Sequence, residues 1–115
     1  MAHYAFINEN NVVVEVIVGI DETELIEGVE PEIWYSEFRG MRCKRTSYNS
    51  KIRGVFAAIG YSYLEDEDIF VIPQPFQTWI RNGSIWEPPI PYPTDGQFYG
   101  WNEESQSWIS DAGLK

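Results

Sequence analysis

Nucleophilic catalysis asks for a nucleophile, a base and a group that orients the base. This chain of 115 residues holds one cysteine, Cys43, and one histidine, His3. Cys43 lies between Arg42 and Lys44, and neighbouring cations can lower a thiol's pKa and make it reactive. Strand alternation turns its side chain away from both neighbours, so a buried, inert cysteine is the simpler reading. His3 stands near a terminus, where order is least expected, and a Ser-His-Asp site built on it is not anticipated. No second Cys or His stands at zinc-ligand spacing. The run Glu65-Asp66-Glu67-Asp68 lacks the spacing and the central glycine of a calcium loop, and reads as a solvated, self-repelling turn. There is no glycine-rich phosphate loop, and no motif selects two of the many carboxylates as a glycosidase pair. The expectation is a non-enzymatic protein with no metal and no cofactor.

What remains is aromatic surface, for aromatic residues make up 16% of the chain. Four segments, 6–13, 63–70, 79–86 and 101–108, share one phrase: an aromatic residue, a polar turn-prone stretch, and a large apolar residue seven positions on. The plainest copy is Trp79-Ile80-Arg81-Asn82-Gly83-Ser84-Ile85-Trp86. Asn-Gly is the strongest short hairpin signal, because both residues tolerate positive φ. A two-residue turn centred there sets Trp79 opposite Trp86 and Ile80 opposite Ile85. Two apolar faces cannot both be exposed cheaply. One covers the core, and the other meets the chain's own proline segments or a partner. Trp101 and Trp108 pose the same question. Tryptophan is a frequent anchor of protein interfaces, so Trp79, Trp86, Trp101 and Trp108 are the candidate binding residues. Their alternatives are intramolecular stacking and a sugar-stacking platform.

The elements that position these residues follow from periodicity and punctuation. Residues 3–18 read as a hairpin with a turn at Asn8-Glu9-Asn10-Asn11. Its second arm is almost unbroken Val and Ile, which suggests a central, doubly covered strand. Asp21 with Glu24 resembles a capping box, and Gly28 would end a helix of one or two turns. A second helix, over 32–39, is marked by Pro31 and Gly40, with Trp34 and Phe38 on one face and Tyr35 beside them. That face is expected to press onto the sheet, although aromatics so placed could also line a pocket. A strand over 41–48 and an apolar strand over 55–63 with a bulge at Gly60 follow, then Ile69 to Ile72. From residue 73 the texture changes to hairpins separated by proline-rich connectors. The fold class is α+β and β-rich: an antiparallel sheet with one short packed helix over 1–72, and a C-terminal tail of Trp/Pro-rich β-hairpins over 73–115. Both parts are read as one cooperative unit, with the tail either folded back on the sheet or wrapped on a neighbour.

Net charge is −10, which argues against nucleic acid, because phosphate binding needs a positive field. The charge is segregated: nine acids and no Lys or Arg in 1–37, six cations and no acid in 38–64, and nine acids against Arg81 and Lys115 after that. The basic island either neutralises its own acidic neighbours or offers Arg42, Lys44 and Arg45 as an electrostatic dock for an acidic partner, a second copy of the chain among the candidates. There is no membrane-spanning apolar run, and the first residues lack the basic start and apolar stretch of a signal peptide. No membrane partner and a cytoplasmic or packaged protein are expected.

Three phrases carry a resemblance. They are the opening Met-Ala-His-Tyr-Ala-Phe-Ile-Asn-Glu-Asn-Asn-Val-Val, the stretch Glu37-Phe38-Arg39-Gly40 followed by Cys43-Lys44-Arg45-Thr46-Ser47-Tyr48-Asn49, and the ending Trp86-Glu87-Pro88-Pro89 to Tyr92-Pro93-Thr94-Asp95-Gly96. The chain resembles small, largely uncharacterised proteins of marine tailed phages, above all those infecting cyanobacteria. The resemblance runs over nearly the whole chain and supplies no functional residues. It implies a viral origin and a virion role: a capsid decoration protein, or a head or tail accessory subunit, that contacts protein. Two other readings stay open. One is an early phage protein that binds and redirects a host protein in the host cytoplasm. The other is a glycan-binding module at a fibre tip.

Overall fold

The computed structural model describes residues 2–110; Met1 and residues 111–115, the end of the expected tail, lie outside them. The fold is α+β and β-rich, with antiparallel sheets, one short helix and hairpins at the C-terminal end. The chain divides into two compact units, Met1–Pro73 and Gln74–Lys115.

In the first unit, β1 (Ala2–Ile7) and β2 (Val13–Gly19) form the expected hairpin. Asn8 organises its turn, since its Oδ1 accepts the amides of Asn10 and Val12 at 2.9 and 3.0 Å. β3 (Arg42–Thr46) pairs with the other side of β1, so the order is β2-β1-β3. The Val-rich strand is therefore an edge, not the centre. Nor is it doubly covered: of its residues only Val13 is buried, and Val14 and Val18 are exposed, so apolar density alone did not report its place in the sheet. Both faces of β1 are buried. Tyr4 and Phe6 join Ala2 and Cys43 in one layer, while Ala5 and Ile7 join Val13, Ala57, Tyr63 and Phe70 in the other.

α1 (Pro31–Arg39) starts on its proline and ends on Gly40, which takes the left-handed φ of 68°. Trp34 and Phe38 do stack, with centroids 5.1 Å apart, but Phe38 is 72% exposed. The side chain that meets the sheet is Tyr35, its ring 5.0 Å from Tyr4. Polar handles select that face: Tyr4 Oη donates to the Ile20 carbonyl at 2.8 Å, and Tyr35 Oη accepts the Ile20 amide at 3.3 Å.

Two expected elements are not formed. Residues 21–28 make no helix. The Asp21 carboxylate accepts the amide and hydroxyl of Thr23, and Glu27 and Gly28, with φ of 52° and 81°, close a tight turn that bridges Ile26 to Val29. A single helical turn has too few bonds to offset its nucleation cost, so local side-chain bonding wins. Residues 55–61 make no strand. Their backbone is satisfied elsewhere: the Ala57 amide bonds Thr46 Oγ1, the Gly60 amide bonds the Val13 carbonyl, and the Tyr61 carbonyl accepts the Val13 amide. A short hairpin follows, β4 (Ser62–Leu64) and β5 (Ile69–Val71), with Tyr63 opposite Phe70.

The second unit is two hairpins and their connectors. They are β6 (Ile80–Asn82) with β7 (Ile85–Glu87), and β8 (Tyr99–Asn102) with β9 (Ser107–Ser110). Trp101 stands opposite Trp108, but the β6–β7 register differs from expectation. Its turn is Gly83-Ser84, so Arg81 faces Trp86 and Asn82 faces Ile85. Gly83 alone takes positive φ, 62°, the first-position glycine of a type II′ turn, and Asn82 stays in the strand.

A β-carbon on Gly19 would come within 2.7 Å of the Tyr4 ring and 2.8 Å of Tyr35 Oη. Gly19→Ala should therefore cost about 1–3 kcal/mol by overpacking, read as a lower urea midpoint with an unchanged slope.

Candidate functional site

Cys43 is buried in the layer under α1. Burial, then the Glu32 charge, push its thiol up to about 12, outweighing the pull of Arg53 and Lys44. The thiol is thus held protonated and is a packing group. His3 is not a loose terminal residue. It lies in β1, with its ring 5.1 Å from Phe56 and 6.1 Å from Tyr48, an aromatic setting that local sequence did not signal. Among the described residues, no three His, Cys, Asp or Glu side chains gather to hold a metal ion. No helix among them is long and apolar enough to cross a membrane.

The basic island faces its own acids. Arg42 pairs with Glu65 and also bonds Asn11, Lys44 lies 4.0 Å from Glu32, and Arg45 lies 3.4 Å from Glu22. Arg39 pairs with Glu15. The three residues of the expected dock are each beside a carboxylate of the same unit. The acidic turn is likewise more than a solvated tip, since Glu65 and Asp68 both hold arginines. A concavity of about 500 Å³ runs past Glu32, Arg45, Arg53, Glu67 and Asp68, and its charged lining is largely paired across it.

Arg53 is the hub. Its Nη1 donates to Glu32 Oε2 at 2.8 Å and to the Arg45 carbonyl at 3.0 Å, and its Nε donates to Asp68 Oδ1 at 2.8 Å. Asp68 Oδ1 also accepts the Tyr63 hydroxyl. Partial burial works to raise the Asp68 pKa, but the bonds from Tyr63 and Arg53 win and hold it below the usual carboxylate value of 3.8. On the other side, burial and then the Asp68 bond push the Tyr63 hydroxyl up to about 12.

In the second unit the candidate tryptophans mostly meet one another. Trp101 and Trp108 lie 5.1 Å apart, Trp79 lies 5.8 Å from Trp101 and 6.3 Å from Trp108, and Phe76 and Tyr92 close the cluster. Edge-to-face geometry dominates, as ring quadrupoles prefer. The indoles of the last hairpin are anchored: Trp108 Nε1 donates to the Ile90 carbonyl at 2.7 Å and Trp101 Nε1 to Glu103 Oε1 at 2.9 Å. Glu103 also takes the hydroxyl and amide of Thr78, tying the β8–β9 turn to the segment before β6. Three of the four expected anchors thus pack half-buried on one another within the unit. Trp86 is half-buried opposite Arg81. The other face of that hairpin is the exposed one, with Ile80 at 66% and Ile85 at 47%.

No protein-family model, no curated protein and no solved structure matches this chain.

Two expectations follow. Asp68→Asn should lower stability at neutral pH by about 1 kcal/mol, a figure kept small because the carboxylate is half-exposed. Asp68 has a lowered folded pKa, so its contribution is complete above the unfolded value near 3.8 and fades as the pH falls through the folded one. Urea titrations of the two proteins should therefore converge in acid. Trp101→Ala should cost about 3 kcal/mol and abolish the near-ultraviolet tryptophan dichroism of the second unit. A loss within about 0.5 kcal/mol would return Trp101 to the surface.

Proposed function

We propose that the chain is a non-enzymatic subunit of a phage particle, a capsid decoration protein or a head or tail accessory protein, that works through protein–protein contacts. The observation that carries this reading is the outer face of β6–β7. Ile80 and Ile85 stand exposed on a hairpin whose unit is held together by a tryptophan cluster. Such a face is preorganised, so little conformational entropy is lost when it docks. The resemblance to small proteins of marine tailed phages supports the viral half of the reading. The internal pairing of Arg42, Lys44 and Arg45 favours an apolar contact over an electrostatic one.

Quantitative mass spectrometry of purified particles of the encoding phage tests the reading. The chain is expected in clean particles. A copy number near the major capsid protein's indicates decoration, and a small fixed number indicates the neck, tail or fibres. Absence from clean particles overturns the virion role and turns attention to host proteins in infected cells. The double variant Ile80→Ser/Ile85→Ser should keep the fold and bind particles lacking the chain about tenfold more weakly, the effect of roughly 1.4 kcal/mol.

A further inference from the structure

The sheet of the first unit has two edges, and the chain treats them differently. The β3 edge is blocked at Arg45 without a strand. The Arg45 amide donates to Glu32 Oε2 at 2.7 Å, its carbonyl accepts Arg53 Nη1 at 3.0 Å, and Thr46 Oγ1 accepts the Ala57 amide at 2.9 Å. The β2 edge is closed only at its ends. Val13 exchanges bonds with Gly60 and Tyr61 at 2.9 and 2.8 Å, and the Ile20 amide is held by Tyr35. Along residues 14–18, no strand among the described residues pairs on the outer side.

Open edges are templates for another strand, and proteins blunt them with charge, proline or a bulge. This stretch carries a bulge only at its beginning. It has no proline and no lysine, and its one charge, Glu15, is neutralised by Arg39 of the same chain. Val14 and Val18 remain 39% and 57% exposed.

We propose that residues 14–18 form a strand-addition site and that its partner is a second copy of this chain, docked antiparallel about a two-fold axis. Two features select a second copy. With the β3 edge blocked at Arg45, chaining of β2 to β3 is disfavoured, and the β2-to-β2 contact closes at two copies. The stretch is also self-complementary. Pairing centred on Val16 sets Val14 opposite Val18 and Glu15 opposite Ile17, so no like charges meet across the seam. The two three-stranded sheets become one continuous sheet. The seam is short, so the dimer is weak and concentration-dependent. It involves the purified chain alone and stands or falls separately from the particle reading.

Sedimentation of the full chain over a concentration series tests it, with Val18→Lys and Ile85→Lys beside the parent. The parent should dimerise, Val18→Lys should weaken the dimer about tenfold or more, and Ile85→Lys should leave it unchanged. A parent that stays monomeric to about millimolar concentration overturns the proposal. So does a dimer that Ile85→Lys dissolves and Val18→Lys does not. Amide exchange on the parent needs no variant. Amides in residues 14–18 should gain protection as concentration rises, and unchanged protection there in a dimeric sample also overturns the proposal.

Discussion

One guanidinium organises the first unit. Arg53 sits at the left-handed φ of 50°, a conformation a non-glycine residue adopts only when its surroundings hold it there. Its side chain reaches the helix through Glu32, the β3 backbone through the Arg45 carbonyl, and the β4–β5 hairpin through Asp68. Its own carbonyl accepts the Phe70 amide at 2.9 Å. Four segments that share no continuous ladder are therefore tied at one point. Such a partly buried charge is tolerable because its Nε and Nη1 donors meet two carboxylates and a carbonyl. Glu32 and Arg53 together cap the Arg45 amide and carbonyl on the outer side of β3, which leaves β2 as the more open side of the sheet.

The second unit solves a different problem. Two-stranded hairpins are marginal by themselves, and among the described residues the sheets inside this unit are two-stranded. Aromatic area takes the place of a larger sheet. Trp79, Trp101 and Trp108 pack on one another; Glu103 and the Ile90 carbonyl receive the indole N–H groups of Trp101 and Trp108, while that of Trp79 is buried without a hydrogen-bond partner among the described residues. The tryptophans are spent on cohesion, and the aliphatic side chains of β6 and β7 are left outside. This inverts the usual assignment, in which tryptophan is the interface residue and isoleucine the core residue.

Local signals were legible where one residue type dictates one backbone state. Gly40 ends the helix, Asn8 makes the first turn, and the seven-residue phrase puts Tyr63 opposite Phe70 and Trp101 opposite Trp108. Signals failed where two local solutions were nearly equal. Asn82-Gly83 and Gly83-Ser84 both make two-residue hairpin turns, and the register slid to the second. Asp21 satisfied the pattern of a helix start, yet its carboxylate bonds Thr23 within a turn.

The amino-acid sequence by itself determined the class of the fold, the ends of α1 and most turns, because each depends on residues close in the chain. Only the tertiary structure decided which strand is central, which aromatic meets the sheet, and whether a cation faces solvent or an acid. Those outcomes join residues far apart: Arg42 to Glu65, Arg53 to Glu32, Tyr35 to Tyr4, and Thr78 to Glu103. Charge segregation along the chain showed that neutralisation was available, but not which acid would meet which base. That choice is made by distance, and distance between remote residues exists only once the chain has folded.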